Sequence, residues 1–304
     1  MRRTFRAAAI GLAALLALTA CGGEDDPFET DKGGSTEGGN VTVGSANFPE
    51  NVLLAEIYAQ ALEAKGVQVT RKFNIGSREI IYDQIEKGTL SVLPEYNGAL
   101  LAYLDKTATV SSTDEVNKAL TAKLPASLEL LDSAAAEDKD AVVVTRETAQ
   151  KYQLTAIPDL APVAGELVIG GPPEFKTRRQ GVLGLESVYG LKFKQFKSLD
   201  TAGPITVSAL EKGDVQAANL FTTDPVVPAK GFVVLEDPKS LFSAQNVTPL
   251  VNTKVANDTI RQALNAVSAK LETPALAELV KRVVTDKEDA DKVAKDWLQT
   301  NSLT

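Results

Sequence analysis

Residues 41–96 read VTVGSANFPENVLLAEIYAQALEAKGVQVTRKFNIGSREIIYDQIEKGTLSVLPEY, and their pattern is the clearest indication of the fold class. It starts with a β-like run that breaks at Gly44, after which Pro49 suits the first turn of a helix and Gly66 suits its end. An alternating strand, a second helix and a short apolar strand follow. The successive runs are 41–48, 49–66, 67–74, 77–88 and 90–96. The order β-α-β-α-β with short links predicts a parallel sheet covered by helices.

The same plan recurs in the second half of the chain. Further strands are predicted at AVVVT (141–145), GELVIGG (165–171) and VQAANLFTTD (215–224), and helical patterns complete the chain. The segments IIYDQIEKGTLSVLPEYNG and ITVSALEKGDVQAANLFTTDP both run from a helix ending in EKG, through a strand, to an aromatic residue. This echo favours two similar lobes with Tyr96 and Phe221 at equivalent strand ends, although EKG is also a common helix ending.

The motif LPEYNG, residues 93–98, places Tyr96 between a strand and an Asn-Gly turn. In α/β proteins, ligands bind beyond the carboxyl ends of the strands, so this tyrosine is a candidate wall of a binding site. The alternative is a half-buried ring with its hydroxyl in water, which is the commoner arrangement for tyrosine.

Composition excludes several classes of function. The 304 residues are 44% hydrophobic and 24% charged, as in an ordinary globular protein, and the formal charge is −8. Such an acidic chain argues against binding to nucleic acid, whose phosphates require basic patches. There is no histidine, which excludes Ser-His-Asp and Cys-His catalysis, histidine zinc sites and a histidine pH switch.

The N-terminus has the features of an export signal. Residues 1–20 combine three arginines with an apolar stretch that is too short to span a membrane, and Cys21, the only cysteine, follows small residues. LTAC resembles the bacterial lipobox, which predicts a lipid anchor on Cys21; the alternative is an ordinary signal peptide with a coincidental cysteine. Residues 21–40, rich in glycine and acids, are predicted to be a flexible tether. The protein is therefore expected in the cell envelope, anchored on the outer face of the cytoplasmic membrane.

Several motifs together resemble a known family. VTVGSANFPENVLLAEIY, LPEYNG, GGPPEFKTRRQGVLGLESVYGLKF, FTTDP and QNVTPLV occur in the order seen in substrate-binding proteins of osmoprotectant ABC importers, the glycine betaine/choline (OpuBC/ProX-like) family. The resemblance implies an α/β, two-lobe, type II periplasmic-binding-protein fold with two hinge crossings and Venus-flytrap closure over one small ligand. AVVVT and VTPLVNT resemble the crossings. Lobe I is expected at residues 41–138 plus 247–304, and lobe II at 139–246.

The resemblance also implies which residues bind the ligand. It assigns Tyr96 and Phe221 to an aromatic cage for a quaternary ammonium, although the family cage can hold four tyrosines, and it assigns Arg178 to a ligand carboxylate. The other candidates are Ser45, Asn47 and Phe48 at the start of the first helix, Asp140, and Gln245 and Asn246 where the family often has an aromatic residue. Alternatives remain from the residues themselves: Phe221 suits a core, Arg178 a solvated surface, and Ser45 and Asn47 a capping turn.

The predicted function is capture of a betaine-type osmoprotectant and its delivery to the transmembrane subunits of an ABC permease. No catalytic residue, metal or cofactor is implied, and a monomer is expected. One alternative is the same two-lobe receptor with a non-quaternary polar ligand such as an amino acid. The other is an exported enzyme, for which the sequence offers acid pairs but no nucleophile motif or metal-ligand spacing.

Overall fold

The computed structural model describes residues 40–304. The predicted signal peptide, Cys21 and the tether up to residue 39 lie outside the described residues. Within residues 40–304, no helix has both the length and the apolar character needed to cross a membrane.

The described chain alternates strands and helices. The strands are β1 (Val41–Ala46), β2 (Val69–Gly76), β3 (Val92–Tyr96), β4 (Leu128–Leu130), β5 (Asp140–Val144), β6 (Val168–Gly171), β7 (Gln195–Ser198), β8 (Ala217–Phe221), β9 (Val233–Val234) and β10 (Val247–Asn252). The α-helices are α1 (Pro49–Glu63), α2 (Arg78–Lys87), α3 (Asn97–Leu104), α4 (Thr113–Lys123), α5 (Arg146–Tyr152), α6 (Val182–Tyr189), α7 (Pro204–Glu211), α8 (Val226–Lys230), α9 (Asp258–Ser268), α10 (Thr273–Val284) and α11 (Ala290–Thr300). The 3₁₀ helices are Ile157–Leu160, Ala164–Glu166 and Pro173–Lys176.

The strands form two mixed sheets built on one plan. The first has the order β2-β1-β3-β10-β4 and the second β7-β6-β8-β5-β9. In each, three neighbouring strands are parallel and a fourth is antiparallel to the third. We call the part built on the first sheet the first lobe and the part built on the second sheet the second lobe. β3 and β8 occupy the same place in the two sheets, so Tyr96 and Phe221 end corresponding strands.

Helices cover both faces of each sheet, as the β-α-β-α-β pattern predicts. In the first lobe, α1 is buried along most of its length, and α9, α10 and α11 return from the end of the chain to pack against it. Trp297 of α11 and Tyr58 of α1 belong to this core. Apolar packing thus fixes the position of the start of α1, where the chain leaves the sheet edge.

The chain passes between the lobes through two segments that pair with each other. Asp138 N–H donates to the Gln245 carbonyl at 3.1 Å, and Val247 N–H donates to the Ala136 carbonyl at 3.0 Å. Each segment lies just before a strand that was expected to be the crossing itself. β5 and β10 instead lie inside the sheets, because each is hydrogen-bonded to a strand on both sides.

The motif after Tyr96 begins a helix instead of the expected turn. Asn97 is the first residue of α3, and its Oδ1 accepts hydrogen bonds from Gly98 N–H at 2.8 Å and Asn246 N–H at 2.8 Å. Gly98 lies against the second crossing so closely that a Cβ there would be 2.1 Å from the Ala244 carbonyl oxygen. Glycine therefore serves close packing at this position and not a turn.

Candidate ligand-binding site

A cavity of about 60 Å³ lies between the two lobes. Its first-lobe wall is formed by the chain after β1, the start of α2 and the end of β3, and its second-lobe wall by the ends of β6 and β8. Seven of the nine predicted binding residues line it. They are Asn47, Phe48, Tyr96, Asp140, Arg178, Phe221 and Gln245.

Three aromatic rings from both lobes meet in this cavity. Phe48 lies between the other two, with its ring centroid 6.1 Å from that of Tyr96 and 5.2 Å from that of Phe221. The corresponding interplanar angles are 29° and 36°. β3 and β8 each end at the cavity with one ring, and the chain between β1 and α1 supplies Phe48. The two-lobe plan therefore assembles one aromatic wall from three separate parts of the sequence.

A buried carboxyl, Glu50, connects the two lobes behind these rings. The Tyr96 hydroxyl donates to Glu50 Oε1 at 2.7 Å, and the Thr223 hydroxyl of the second lobe donates to Oε2 at 2.6 Å. Thr223 N–H donates to Asp138 Oδ1 at 3.0 Å, and Asp138 lines the cavity. Both acidic residues are buried. Glu50 is buried because the start of α1 points into the contact between the two lobes.

Burial sets the protonation of this cluster. It raises the pKa of Asp138 well above the usual range, and the neighbouring charge of Glu50 raises it further. Burial also raises the pKa of Glu50, although the hydroxyl donors Thr223 and Tyr96 oppose that shift. The pKa of the Tyr96 phenol is raised as well, mainly by burial, so the hydroxyl stays a donor. Two buried carboxyls side by side favour retention of a proton between them.

Both arginines of the cavity are already bound to glutamates. Arg78 donates from Nε and Nη2 to the carboxylate of Glu95, at 2.9 and 2.8 Å, within the first lobe. Arg178 of the second lobe donates from the same two nitrogens to Glu79 of the first lobe, both at 2.9 Å. Arg178 is thus at the cavity, as the resemblance implied, but its guanidinium is occupied.

Polar side chains at the crossings hold Asp140 in place. Asn219 donates to Asp140 Oδ1 at 2.9 Å, and Gln245 Nε2 donates to Oδ2 at 3.3 Å. Gln245 also accepts from Asp140 N–H at 2.8 Å and donates to Gln180 Oε1 at 2.9 Å. Asp140 lies opposite Phe221 in the β5–β8 pair. Its carboxylate is therefore fixed beside an aromatic ring.

Two predicted binding residues do not line the cavity. The Ser45 hydroxyl donates to the Ala46 carbonyl at 3.0 Å and accepts from Asn74 N–H at 2.9 Å, so it joins β1 to β2. Asn246 donates to the Ala134 carbonyl at 3.0 Å and accepts from the Thr113 hydroxyl at 2.8 Å. The structure gives both side chains a role in holding the backbone together.

Sequence reasoning missed several residues of the site. Arg78, Glu95 and Asp138 line the cavity without having been predicted, and Glu50 and Glu79 lie directly behind lining residues. The motif PEY did contain Glu95, immediately before the tyrosine that was selected. No local pattern distinguishes the others from the acids and bases of solvated helix ends.

The cavity suits a small organic cation. It combines three aromatic rings with the carboxyl groups of Asp138 and Asp140, which are fixed by hydrogen bonds. Ring faces and nearby negative charge attract a cation that has no hydrogen-bond donor of its own. Among residues 40–304, no cluster of three acidic or cysteine side chains has the arrangement of a metal site.

A family model decides what kind of protein this is. Residues 39–300 match the model described as the substrate binding domain of an ABC-type glycine betaine transport system. This chain belongs to that family. Members are substrate-binding proteins and not enzymes, so the family prediction and the prediction of a non-catalytic binding protein are both confirmed.

Known proteins across the whole described chain agree with this assignment. The glycine betaine-binding protein YehZ of Escherichia coli is 29% identical over 87% of this chain and 91% of its own length. A glycine-betaine-binding protein of Pseudomonas aeruginosa is 25% identical over 89% and 90%. A glycine betaine/carnitine/choline ABC transporter structure covers 86% of this chain and 99% of its own at a TM-score of 0.67 and 21% identity. The two-lobe periplasmic-binding-protein fold is thereby confirmed.

Proposed function

We propose that this chain captures a small quaternary-ammonium osmolyte of the betaine and choline type and delivers it to the permease of an ABC importer. One observation carries the ligand class: Phe48, Tyr96 and Phe221 meet in one interlobe cavity beside two fixed carboxyls. Membership of the family supports the role in import.

The physical basis is the match between the ligand and a dry aromatic wall. A quaternary ammonium cannot donate a hydrogen bond, so a protein recognises it by ring faces and partial negative charge. Each ring contributes about 0.5–2 kcal/mol, and more when water is excluded. Closure of the lobes over the cavity provides that exclusion, and the paired crossings allow a hinge movement.

Further parts of the proposal concern the rest of the molecule. We place lobe I at residues 41–138 plus 247–304 and lobe II at 139–246. The strand content of the two sheets supports this division. We further propose that Cys21 carries a lipid that holds a monomeric protein on the outer face of the cytoplasmic membrane. The LTAC motif and the export-type N-terminus support that part.

Calorimetric titration of the full chain tests the ligand class. The panel is choline, glycine betaine and carnitine, with proline and arginine as non-quaternary solutes. We expect saturable binding of at least one quaternary ammonium and none of the other two. Binding restricted to proline or arginine would contradict the proposal and favour a receptor for amino acids.

Substitution of one cage ring tests the mechanism. Phe221→Leu keeps an apolar side chain but removes the π face, so affinity for the quaternary ligand should fall about 3- to 30-fold. Phe221→Tyr keeps the ring and is the matched control, with affinity close to that of the unsubstituted protein. Equal loss of affinity in both variants would show that the shape of this side chain matters and its π face does not.

A further inference from the structure

Glu79 forms an ion pair with Arg178, whose guanidinium faces the cavity from the second lobe. Its two carboxylate oxygens accept from Arg178 Nε and Nη2, both at 2.9 Å. This is the planar, two-point geometry in which a guanidinium binds any carboxylate. Glu79 therefore uses the two donors of Arg178 that any other carboxylate would need.

The charges on the cavity wall give this contact its importance. Its charged lining residues are Arg78, Glu95, Asp138, Asp140, Glu174 and Arg178. Glu95 neutralises Arg78, and Glu79 neutralises Arg178. Neither guanidinium that lines this cavity is then free to balance the charge of the remaining acids on its wall. A ligand carboxylate that enters meets acids, unless it displaces one of the two glutamates.

Glu79 is the glutamate that a ligand can displace. Its side chain is 35% exposed and lines an adjoining cavity of about 150 Å³, so it has room to turn away from Arg178. Glu95 is 4% exposed and lies on the buried strand β3. Burial raises the pKa of Glu79, but the hydrogen bonds and the positive charge of Arg178, helped by a backbone donor, together lower it to about 2, so Glu79 is a full anion at any physiological pH.

We propose that Glu79 is a specificity-determining residue that makes the cavity prefer cations without a carboxylate to zwitterions. This inference rests on the proposed function, because it assumes that the cationic group binds at the aromatic rings. A monocation keeps the Glu79–Arg178 pair intact. A zwitterion must break that pair before its own carboxylate reaches Arg178, and the lost ion pair offsets the new one.

Choline and glycine betaine form a matched pair of probes, because both carry a trimethylammonium group. Choline has a hydroxymethyl group where glycine betaine has a carboxylate. The experiment is calorimetric titration of the full chain with each probe, for the unsubstituted protein and for Glu79→Gln. The neutral amide should bind Arg178 more weakly, which leaves the guanidinium available to the carboxylate of the ligand. We expect affinity for glycine betaine to rise about tenfold relative to that for choline.

Two further variants isolate the cause. Asp83→Asn removes one negative charge from the same helix, one turn further along, where Asp83 is exposed and pairs with Lys87. It should leave the ratio of the two affinities unchanged. Adding Arg178→Gln to Glu79→Gln should abolish the gain for glycine betaine, because the guanidinium that receives the ligand carboxylate is then absent.

The outcomes separate this inference from the function on which it rests. If Glu79→Gln changes both affinities by the same factor, the ion pair acts only on lobe closure and the specificity role is overturned. The same conclusion follows if Asp83→Asn shifts the ratio as strongly. If neither probe binds any variant or the unsubstituted protein, the proposed ligand class itself is overturned.

Discussion

Asp224 shows how burial alone changes the chemistry of a single side chain in this protein. It is 9% exposed, its Oδ1 accepts from Val226 N–H at 3.0 Å, and burial raises its pKa to about 6. The folded protein therefore holds this proton to a higher pH than the unfolded chain does. The stability contributed by this group is complete below the unfolded pKa, near 3.8, and is lost as the pH rises through about 6.

Asp224→Asn should therefore stabilise the protein in a pH-dependent way. At pH 7.5 the amide removes a buried charge while its oxygen still accepts from Val226, and the free energy of unfolding should rise by about 1–3 kcal/mol. At pH 4 the gain should disappear. Denaturant unfolding at the two pH values measures this, with exposed Asp132→Asn as the control. An equal effect of Asp224→Asn at both pH values would contradict the assignment.

At the scale of residues, the sequence predicted the aromatic part of the site but not its acids. Tyr96 and Phe221 could be chosen because each follows a short apolar strand and precedes a break in the pattern. Glu50 and Asp138 could not, because the first resembles an acid favoured in any first helical turn and the second lies in a charged loop. Only the closeness of two lobes turns them into one buried pair.

At the scale of elements, helix α3 depends on the close approach of its first turn to the second crossing. A Cβ on Gly98 would lie 2.1 Å from the Ala244 carbonyl oxygen and 2.4 Å from Ser243 Oγ. Both neighbours belong to the segment that leads into β10, so they cannot move without disturbing the hinge. The Asn-Gly pair predicted a turn, because glycine is common in turns. The structure requires glycine there for another reason, since the distant segment at Ala244 leaves no room for a Cβ.

Gly98→Ala should accordingly destabilise the fold. Overpacking of this kind costs about 1–3 kcal/mol, and the melting temperature should fall. Gly165→Ala is the matched control, since a Cβ there would come no closer than 4.0 Å to the Lys192 carbonyl oxygen, which is an ordinary contact distance. Thermal unfolding of both variants measures the difference. Similar stability of the two would show that the segment at Ala244 shifts without cost.

The first five elements could be predicted well because their cause is local. The helix from Pro49 and the helix after Ser77 have apolar spacing and end signals within their own residues, and both form close to the expected bounds. Helix α6 begins only at Val182, because the chain folds back at Gly181, where a Cβ would lie 2.0 Å from the Phe175 carbonyl oxygen. That tight fold-back is a tertiary contact, which periodicity does not record.

At the scale of the whole molecule, the buried carboxyls of Glu50 and Asp138 should make ligand binding depend on pH, because the charge of the ligand changes their protonation. Burial, and then the negative charge of Glu50, raise the pKa of Asp138, which lines the proposed cation site. A cation placed beside the pair favours the ionised form and lowers that pKa again. Binding should therefore release a proton at pH values between the ligand-bound and ligand-free pKa.

Titration with choline in buffers of different ionisation enthalpy measures this release. Near neutral pH we expect up to about one proton per bound choline, with affinity rising as the pH rises. Asp138→Asn keeps an acceptor for Thr223 N–H but cannot ionise, so its binding enthalpy should no longer depend on the buffer. A binding enthalpy that is already independent of the buffer in the unsubstituted protein would contradict this coupling.

The path of the chain imposes an order on folding. All five strands of the second sheet lie between residues 140 and 234, so that sheet can be complete before β10 and helices α9 to α11 of the first lobe are made. The first sheet lacks β10 until residue 252, and its core lacks Trp297 and Leu298 until those two residues are made. During synthesis the half that begins first must therefore finish last, and loss of a few C-terminal residues would damage the half that contains the N-terminal strand.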